Sequence, residues 1–166
     1  QLDESTADFL RQKESNMRQI VGKAYTELGK ELYEAQQKLA NHRNGVFEEW
    51  YTALGFKKQS VYNYINRYKF IVQQLDDKED IESFEELPAP LQYAVANPNA
   101  ESTPAKAQAK AEVLAGDIAT LKEYRERIKE LERKAEQAEQ EAEVHRNLSE
   151  RLAEEKEQAE QEAQAA

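Results

Sequence analysis

The chain has 166 residues, of which 34% are charged and 39% hydrophobic, and its net charge is −10. This composition is too polar for one compact globule and too periodic for a disordered chain, so it predicts long solvated helices. Cysteine is absent, which excludes disulfides, thiolate metal sites and a cysteine nucleophile. Because no apolar run could cross a bilayer and no signal-type stretch follows Gln1, we expect a cytoplasmic protein without a membrane partner.

Residues 1–40 carry one apolar stripe of helical spacing and are expected to form an N-terminal helical segment. Gly22 and Gly29 lie inside this segment. Each costs about 1 kcal/mol relative to alanine in a helix interior, so we expect either a break or a close packing contact there. The stripe consists of Met17, Val21, Ala24, Leu28, Leu32, Ala35 and Leu39.

Residues 41–75 are expected to form two short helices joined by a tight corner. The turn-forming residues 41–45 precede an apolar pattern that ends at Gly55, and glycine commonly ends a helix at its C-terminus. After Phe56 and Lys57, a second helix is predicted by apolar residues that recur up to Leu75. The inner positions of this pair are Trp50, Leu54, Gly55, Phe56, Val61 and Tyr64, with Trp50 as the inner anchor.

Residues 76–119 form a connector in which prolines prevent a continuous helix. Four prolines, at positions 88, 90, 98 and 104, require short helices to alternate with turns. We expect short helices at 91–96 and 105–115.

Residues 120–166 show a continuous heptad pattern, which predicts a long helix and a coiled coil. Thr120 and Glu123 have the spacing of a capping box at its start. The seam continues through mainly alanine positions, so pairing should be strongest near its first positions. A single solvated helix held by ion pairs is the alternative. The residues expected to mediate dimerisation are Leu121, Tyr124, Ile128 and Leu131.

The corner at 53–65 resembles the helix-turn-helix of many bacterial and phage regulators, with two departures. Tyr51 stands where a small residue is usual, and Lys57 stands where a serine or threonine usually caps the second helix. The resemblance implies that the second helix enters the major groove of DNA. The expected DNA-binding residues are Arg43, Lys57, Lys58, Gln59, Tyr62, Asn63, Asn66, Arg67 and Lys69.

The charge pattern favours this assignment. Residues 41–75 carry five basic and two acidic side chains, whereas residues 76–86 carry a net charge of −6. A solvated helix face usually mixes both signs, yet residues 57–75 contain four basic residues and no acidic residue. The alternative is that these side chains form only the solvated face of a helical hairpin.

A wider stretch, roughly 20–130, resembles an uncharacterised domain family of phage, plasmid and integrative-element genes. The residues that carry this resemblance are 29–35, 45–50, the corner, Leu87-Pro88 and 114–118. The stretch is also similar, more weakly, to the central DNA-binding part of ParB-like partition proteins. The resemblance implies a bacterial regulator or segregation factor of a mobile element, associated with the nucleoid or a plasmid.

Nothing in the chain indicates catalysis, a cofactor, a metal site or a small-molecule ligand. His42 and His145 have no neighbouring residues with metal-ligand spacing, and no phosphate-binding glycine loop or glycine-flanked serine nucleophile is present. Two hypotheses therefore stand. The first is an all-α DNA-binding homodimer that binds double-stranded DNA, and the second is a coiled-coil interaction adaptor without specific DNA binding.

Overall fold

A computed structural model describes residues 1–166 and shows seven α-helices and no strand. It confirms the all-α class and the long C-terminal helix. The helices are α1 (Glu4–Leu39), α2 (Val46–Ala53), α3 (Lys58–Gln74), α4 (Lys78–Glu85), α5 (Ala89–Ala96), α6 (Pro104–Leu114) and α7 (Leu121–Ala165).

The chain divides into two compact units. The first, Gln1–Tyr124, contains α1 to α6 and the first residues of α7, so the hairpin and the connector fold as part of one unit. In this unit α3 packs mainly against α1 and α5. The second unit, Arg125–Ala166, is the remainder of α7. No helix has the combination of length and apolar character that crossing a membrane requires.

Helix α1 continues without a break through both of its glycines, because each glycine permits a close packing contact. A Cβ atom at position 29 would lie 2.3 Å from the carbonyl oxygen of Tyr64 and 2.8 Å from the Cβ atom of Tyr68. The backbones of α1 and α3 therefore approach more closely there than any larger residue would allow. A Cβ atom at position 22 would lie 2.9 Å from Cδ of Glu85 on α4. Of the two expectations for these glycines, close packing is confirmed.

The core between α1, α2 and α3 is built around a different aromatic residue from the one expected. Tyr51 is 1% exposed and packs with buried Val61 and Ile65, whereas Trp50 is 40% exposed and Leu54 is 57% exposed. The prediction that Trp50 is the inner anchor is therefore wrong, as is the inner position of Leu54. The large Tyr51 ring, at the position where a small residue was expected, fills the core in place of Trp50.

The corner between α2 and α3 is formed by a glycine in the left-handed region. Gly55 has φ +93°, and the backbone N–H of Phe56 donates to the carbonyl of Tyr51 at 3.0 Å. These contacts end α2 as expected. Lys57 occupies the N-cap position of α3 in an extended conformation, and its side chain makes no capping hydrogen bond.

Local capping residues set the bounds of the later helices. Thr103 Oγ1 accepts a hydrogen bond from the N–H of Lys106 at 3.2 Å at the start of α6. At the start of α7, Thr120 Oγ1 accepts from the N–H of Glu123 at 3.2 Å, and Glu123 Oε2 accepts from the N–H of Ala119 at 3.4 Å. The predicted capping box is confirmed, with the Glu123 carboxylate bound to the residue before Thr120.

We predict that Tyr51→Ala destabilises the fold far more than Trp50→Ala. Truncating a buried aromatic side chain costs about 3–5 kcal/mol. Losing the half-exposed indole, whose ring centroid lies 6.1 Å from that of Phe47, should cost about 1 kcal/mol. Thermal and urea unfolding of the two variants beside the parent measures the difference. Equal losses, or a larger loss for Trp50→Ala, would contradict the observed packing.

Candidate nucleic-acid interface

Helix α3 presents one polar, basic stripe away from its packed side. Intervals of three and four place the members of this stripe on one helical face. Within the 17 residues of α3 there are three basic side chains and no acidic side chain. The ends of the stripe are exposed and its middle is half-buried. We call it the outward face of α3; it consists of Lys58, Tyr62, Asn66, Lys69 and Gln73.

The N-terminal turn of α3 adds further polar groups beside this face. Lys57, Lys58 and Gln59 are exposed, and the amide of Gln59 donates to Asn63 Oδ1 at 2.9 Å. Because no side chain caps this helix end, its first backbone N–H groups and the positive end of the helix dipole face solvent. Such an end favours an anionic ligand.

The C-terminal half of the outward face borders a small polar cavity. The cavity has a volume of about 120 Å³ and is also lined by Asn97, Glu101 and Lys110. Lys110 is 3% exposed, and its Nζ lies 2.8 Å from Gln74 Oε1 and 4.8 Å from the centre of the Phe70 ring. Burial lowers the pKa of Lys110, and Glu101 at 3.8 Å partly opposes that shift. The Lys110 side chain therefore packs inside the fold, against Gln74 and Phe70.

Arg43 is exposed but already has a partner. Its guanidinium donates to both carboxylate oxygens of Glu49, at 3.1 and 2.7 Å. This hydrogen bonding raises the pKa of Arg43 and lowers the pKa of Glu49, with the attraction of the two charges acting in the same direction. A phosphate would have to displace Glu49 to bind Arg43.

Arg67 is buried and does not lie on the exposed side of α3, contrary to the sequence-based prediction. Its side chain is fully buried between α1, α3, α4 and α5. Its Nε donates to Gln92 Oε1 at 2.8 Å, and its Nη1 donates to Thr26 Oγ1 at 2.7 Å. Glu85 Oε1 lies 4.0 Å from Nη2. The cause is the helical spacing, since Arg67 shares its face of α3 with buried Phe70 and Ile71.

The surroundings of Arg67 form one connected polar cluster. Gln92 donates to the carbonyls of Glu85 and Leu87 at 3.2 and 2.8 Å, and the Thr26 hydroxyl donates to the Gly22 carbonyl at 2.9 Å. Burial lowers the pKa of Arg67, while Glu85 acts in the opposite sense. Burial likewise raises the pKa of Glu85, and Arg67 opposes that rise. The cluster therefore contains a buried cation that Gln92, Thr26 and Glu85 stabilise.

Two features of this site were not predicted from the sequence. Gln73 extends the outward face by one turn, and its spacing of four from Lys69 could have revealed it. The burial of Arg67 had a weaker signal, namely its spacing of three and four from Phe70 and Ile71.

The residues expected to form a dimer seam on α7 differ in their exposure. Tyr124 is 4% exposed and belongs to the first compact unit, so its place in a seam between two chains is wrong. Its ring is already buried by the fold of its own chain. Leu121, Ile128 and Leu131 are half-buried. All residues from 132 onward are exposed, including Val144, Leu148 and Leu152.

We predict that Arg67→Met destabilises the fold by about 3–5 kcal/mol, because it leaves the carboxylate and the buried amide of the cluster without their cation. Lys58→Met, which removes an exposed charge from the outward face, is the matched control and should change stability by about 0.5 kcal/mol or less. Urea unfolding of both variants gives the comparison. If Arg67→Met unfolds at the parent's midpoint, the cluster does not support the fold.

Comparison with protein-family models, curated proteins and solved structures finds no match for this chain. The resemblance to mobile-element helix-turn-helix domains therefore stays a prediction.

Proposed function

We propose that the chain is a DNA-binding protein that inserts the outward face of α3 into the major groove. The observation that carries this proposal is the division of α3 into two sides. One side packs against α1 through the close contact at Gly29, and the outward face carries lysine and amide side chains without an acidic residue. A helix held on one side and presenting donors on the other is what major-groove recognition requires.

The chemistry of the outward face suits both parts of a DNA site. Lys58 and Lys69 can bind phosphate or guanine, whereas Asn66 can make a paired contact to an adenine edge. The hydrogen-bonded side-chain amides of Gln59 and Asn63 provide a second group that can contact base edges, at the start of the helix. The α2–α3 pair would act as a helix-turn-helix whose second helix is α3.

The distribution of charge is compatible with binding despite the net charge of −10. Charges more than about 10 Å away are largely screened at ~0.1 M salt, so distant acidic segments need not prevent binding. Of the five basic residues in 41–75, Arg67 is buried and Arg43 is paired with Glu49. Lys57, Lys58 and Lys69 remain. At about 0.9 counterion per phosphate contact, three contacts give a slope of about −2.7 for log binding constant against log salt concentration, for each chain.

We further propose that the biological role is that of a regulator or partition-type factor of a mobile genetic element, and that two chains associate through α7. The resemblance described above supports the role, and the heptad pattern supports the association. Half-buried Ile128 and Leu131 are the bulky predicted positions that lie in the second unit, since Leu121 and Tyr124 belong to the first. When two chains are joined, binding of the first α3 helix to DNA raises the effective concentration of the second, so the affinity for DNA would rise.

An interaction adaptor remains the second candidate, favoured by one observation. Val144, Leu148 and Leu152 are exposed at intervals of four along α7. Val144 and Leu148 lie outside the heptad seam, which passes through His145, Ser149 and Leu152. An apolar stripe of this kind suits a partner helix, so an adaptor should retain its binding when the outward face of α3 is altered.

We predict that selection from a random pool of duplex DNA recovers fragments with a shared motif, and that the outward face determines binding to them. Lys58→Ala and Lys69→Ala should each weaken binding and reduce the magnitude of the salt dependence by roughly one counterion. Asn66→Ala should instead relax base preference, at a cost of about 1–3 kcal/mol for the preferred base. Fluorescence anisotropy at several salt concentrations measures both effects.

The matched control is Lys78→Ala, which removes an exposed lysine from the acidic helix α4 and should leave binding unchanged. A random pool without an enriched motif, together with unchanged affinity of the α3 variants, would reject the DNA proposal in favour of the adaptor.

We predict that replacing both Ile128 and Leu131 with glutamate reduces self-association, because each chain would place charge in the other's apolar seam. Sedimentation equilibrium at micromolar concentration should show a smaller species than the parent forms. The first unit should keep its thermal unfolding midpoint. An unchanged mass would contradict association through α7.

A further inference from the structure

The first 21 residues of the chain carry an apolar face that the fold leaves uncovered. Its large side chains are between 41% and 68% exposed. The glycines of the same helix, Gly22 and Gly29, are buried on another side. At about 100° per residue, Ile20 lies opposite Gly29 around the helix. Exposed Leu2, Phe9, Met17 and Ile20 lie on this face, and exposed Leu10 and Val21 lie at its edge.

The spacing along this face is symmetric about one residue. Intervals of 4, 3, 4, 4, 3 and 4 place seven residues on one side of α1. The pattern repeats every 11 residues, which favours a right-handed supercoil of the paired helices. Reversing the direction of the chain about Lys13 maps the set onto itself. The seven positions are Leu2, Thr6, Phe9, Lys13, Met17, Ile20 and Ala24.

We propose that this face is a self-association surface on which a second copy of the chain packs its α1 in the antiparallel direction, centred on Lys13. In that register Phe9 faces the partner's Met17, while Thr6 faces the partner's Ile20. Leu2 faces the partner's Ala24. Large side chains therefore meet smaller or flexible ones, as close packing requires. Parallel pairing would instead place Phe9 on the partner's Phe9 and Thr6 on the partner's Thr6.

The charges of α1 select the antiparallel direction. Residues 3–8 contain Asp3, Glu4 and Asp8 and no basic residue, whereas residues 18–23 contain Arg18 and Lys23 and no acidic residue. The register centred on Lys13 brings 3–8 of one chain beside 18–23 of the other. Parallel pairing would bring acid beside acid. The helix dipoles also favour opposite directions.

Apart from Lys13, which meets the partner's Lys13 at the centre, the groups around these charges do not oppose the pairing. Arg18 forms an exposed ion pair with Glu86 at 3.0 Å, and Asp8 forms one with Arg11. Exposed pairs of this kind exchange partners at little cost. At the centre, the Lys13 Nζ lies 5.2 Å from the centre of the Phe9 ring, which directs it along its own helix. The partner's Glu14 would lie beside it.

This surface is separate from the α7 seam, so the two together would build assemblies larger than a dimer. The α1 surface goes beyond the proposed DNA-binding function and does not depend on it. Each surface binds the same surface of another copy of the chain. Substitutions in the α1 surface and in the α7 seam should therefore change the assembly size independently.

Cysteine cross-linking tests the register, because the chain contains no cysteine of its own. Under mild oxidation, Lys13→Cys in the full chain should give a disulfide-linked dimer in at least about fivefold greater yield than Thr52→Cys, an exposed control on α2. Ile20→Cys alone should not link, since the two copies would lie about 21 Å apart along the pair. Mixed with Thr6→Cys, it should link. Efficient linking of Ile20→Cys alone, or no excess for Lys13→Cys, overturns the proposal.

Assembly size tests the independence of the two surfaces. The α1 variant combines Phe9→Glu with Ile20→Glu, and Gln37→Glu is its control at an exposed position outside the face and outside the two charged segments. Sedimentation should give dimers for the α1 variant, dimers for the Ile128→Glu and Leu131→Glu variant, and monomers when all four substitutions are combined. Gln37→Glu should match the parent. The proposal fails if the α1 variant has the parent's mass, whatever the DNA-binding measurements show.

Discussion

The buried guanidinium of Arg67 is the contact that connects four helices of the first unit. It bonds to Thr26 of α1 and Gln92 of α5, and Glu85 of α4 lies 4.0 Å away. A buried charge is tolerated only where its surroundings supply hydrogen bonds and an opposite charge. The positions of α1, α4 and α5 around α3 are therefore tied to one side chain, and the direction of the outward face depends on that arrangement.

The same packing explains why α3 has a single side available for a ligand. Gly29 brings α1 against the backbone of α3, and Tyr51 fills the core below its N-terminal half. With Arg67 turned inward, these contacts cover the inner side of the helix. The stripe on the other side carries lysines and amides, with its ends exposed and its middle half-buried. The packing of α3 leaves these polar side chains accessible and also supports the helix that carries them. We therefore assign the proposed DNA contact to this stripe.

Local sequence signals predicted the secondary structure well, because they act over a few residues. The continuous first helix, the corner at Gly55 and the capping box at Thr120 all follow from spacing or capping. Burial was predicted less well, because it depends on residues distant in the sequence. The buried Arg67 contacts Gln92 and Glu85, which lie 25 and 18 positions later in the chain. Because no local pattern indicates that these residues meet, its burial could not be predicted from its neighbours in the sequence. Tyr51 and Trp50 are adjacent, so only the position of α1 decides which ring enters the core.

The outward face is tested most directly by the backbone amide NMR signals of the protein during titration with a mixed-sequence DNA duplex at low salt. The largest shifts should occur at Lys58, Tyr62, Asn66 and Lys69, with α7 beyond residue 131 unchanged. Signals of Thr26, Glu85 and Gln92, which surround the buried Arg67 side chain on other helices, should move little, because that cluster supports the fold and does not touch the ligand. Shifts confined to α1 or α7, or no shifts at all, would contradict DNA binding by α3.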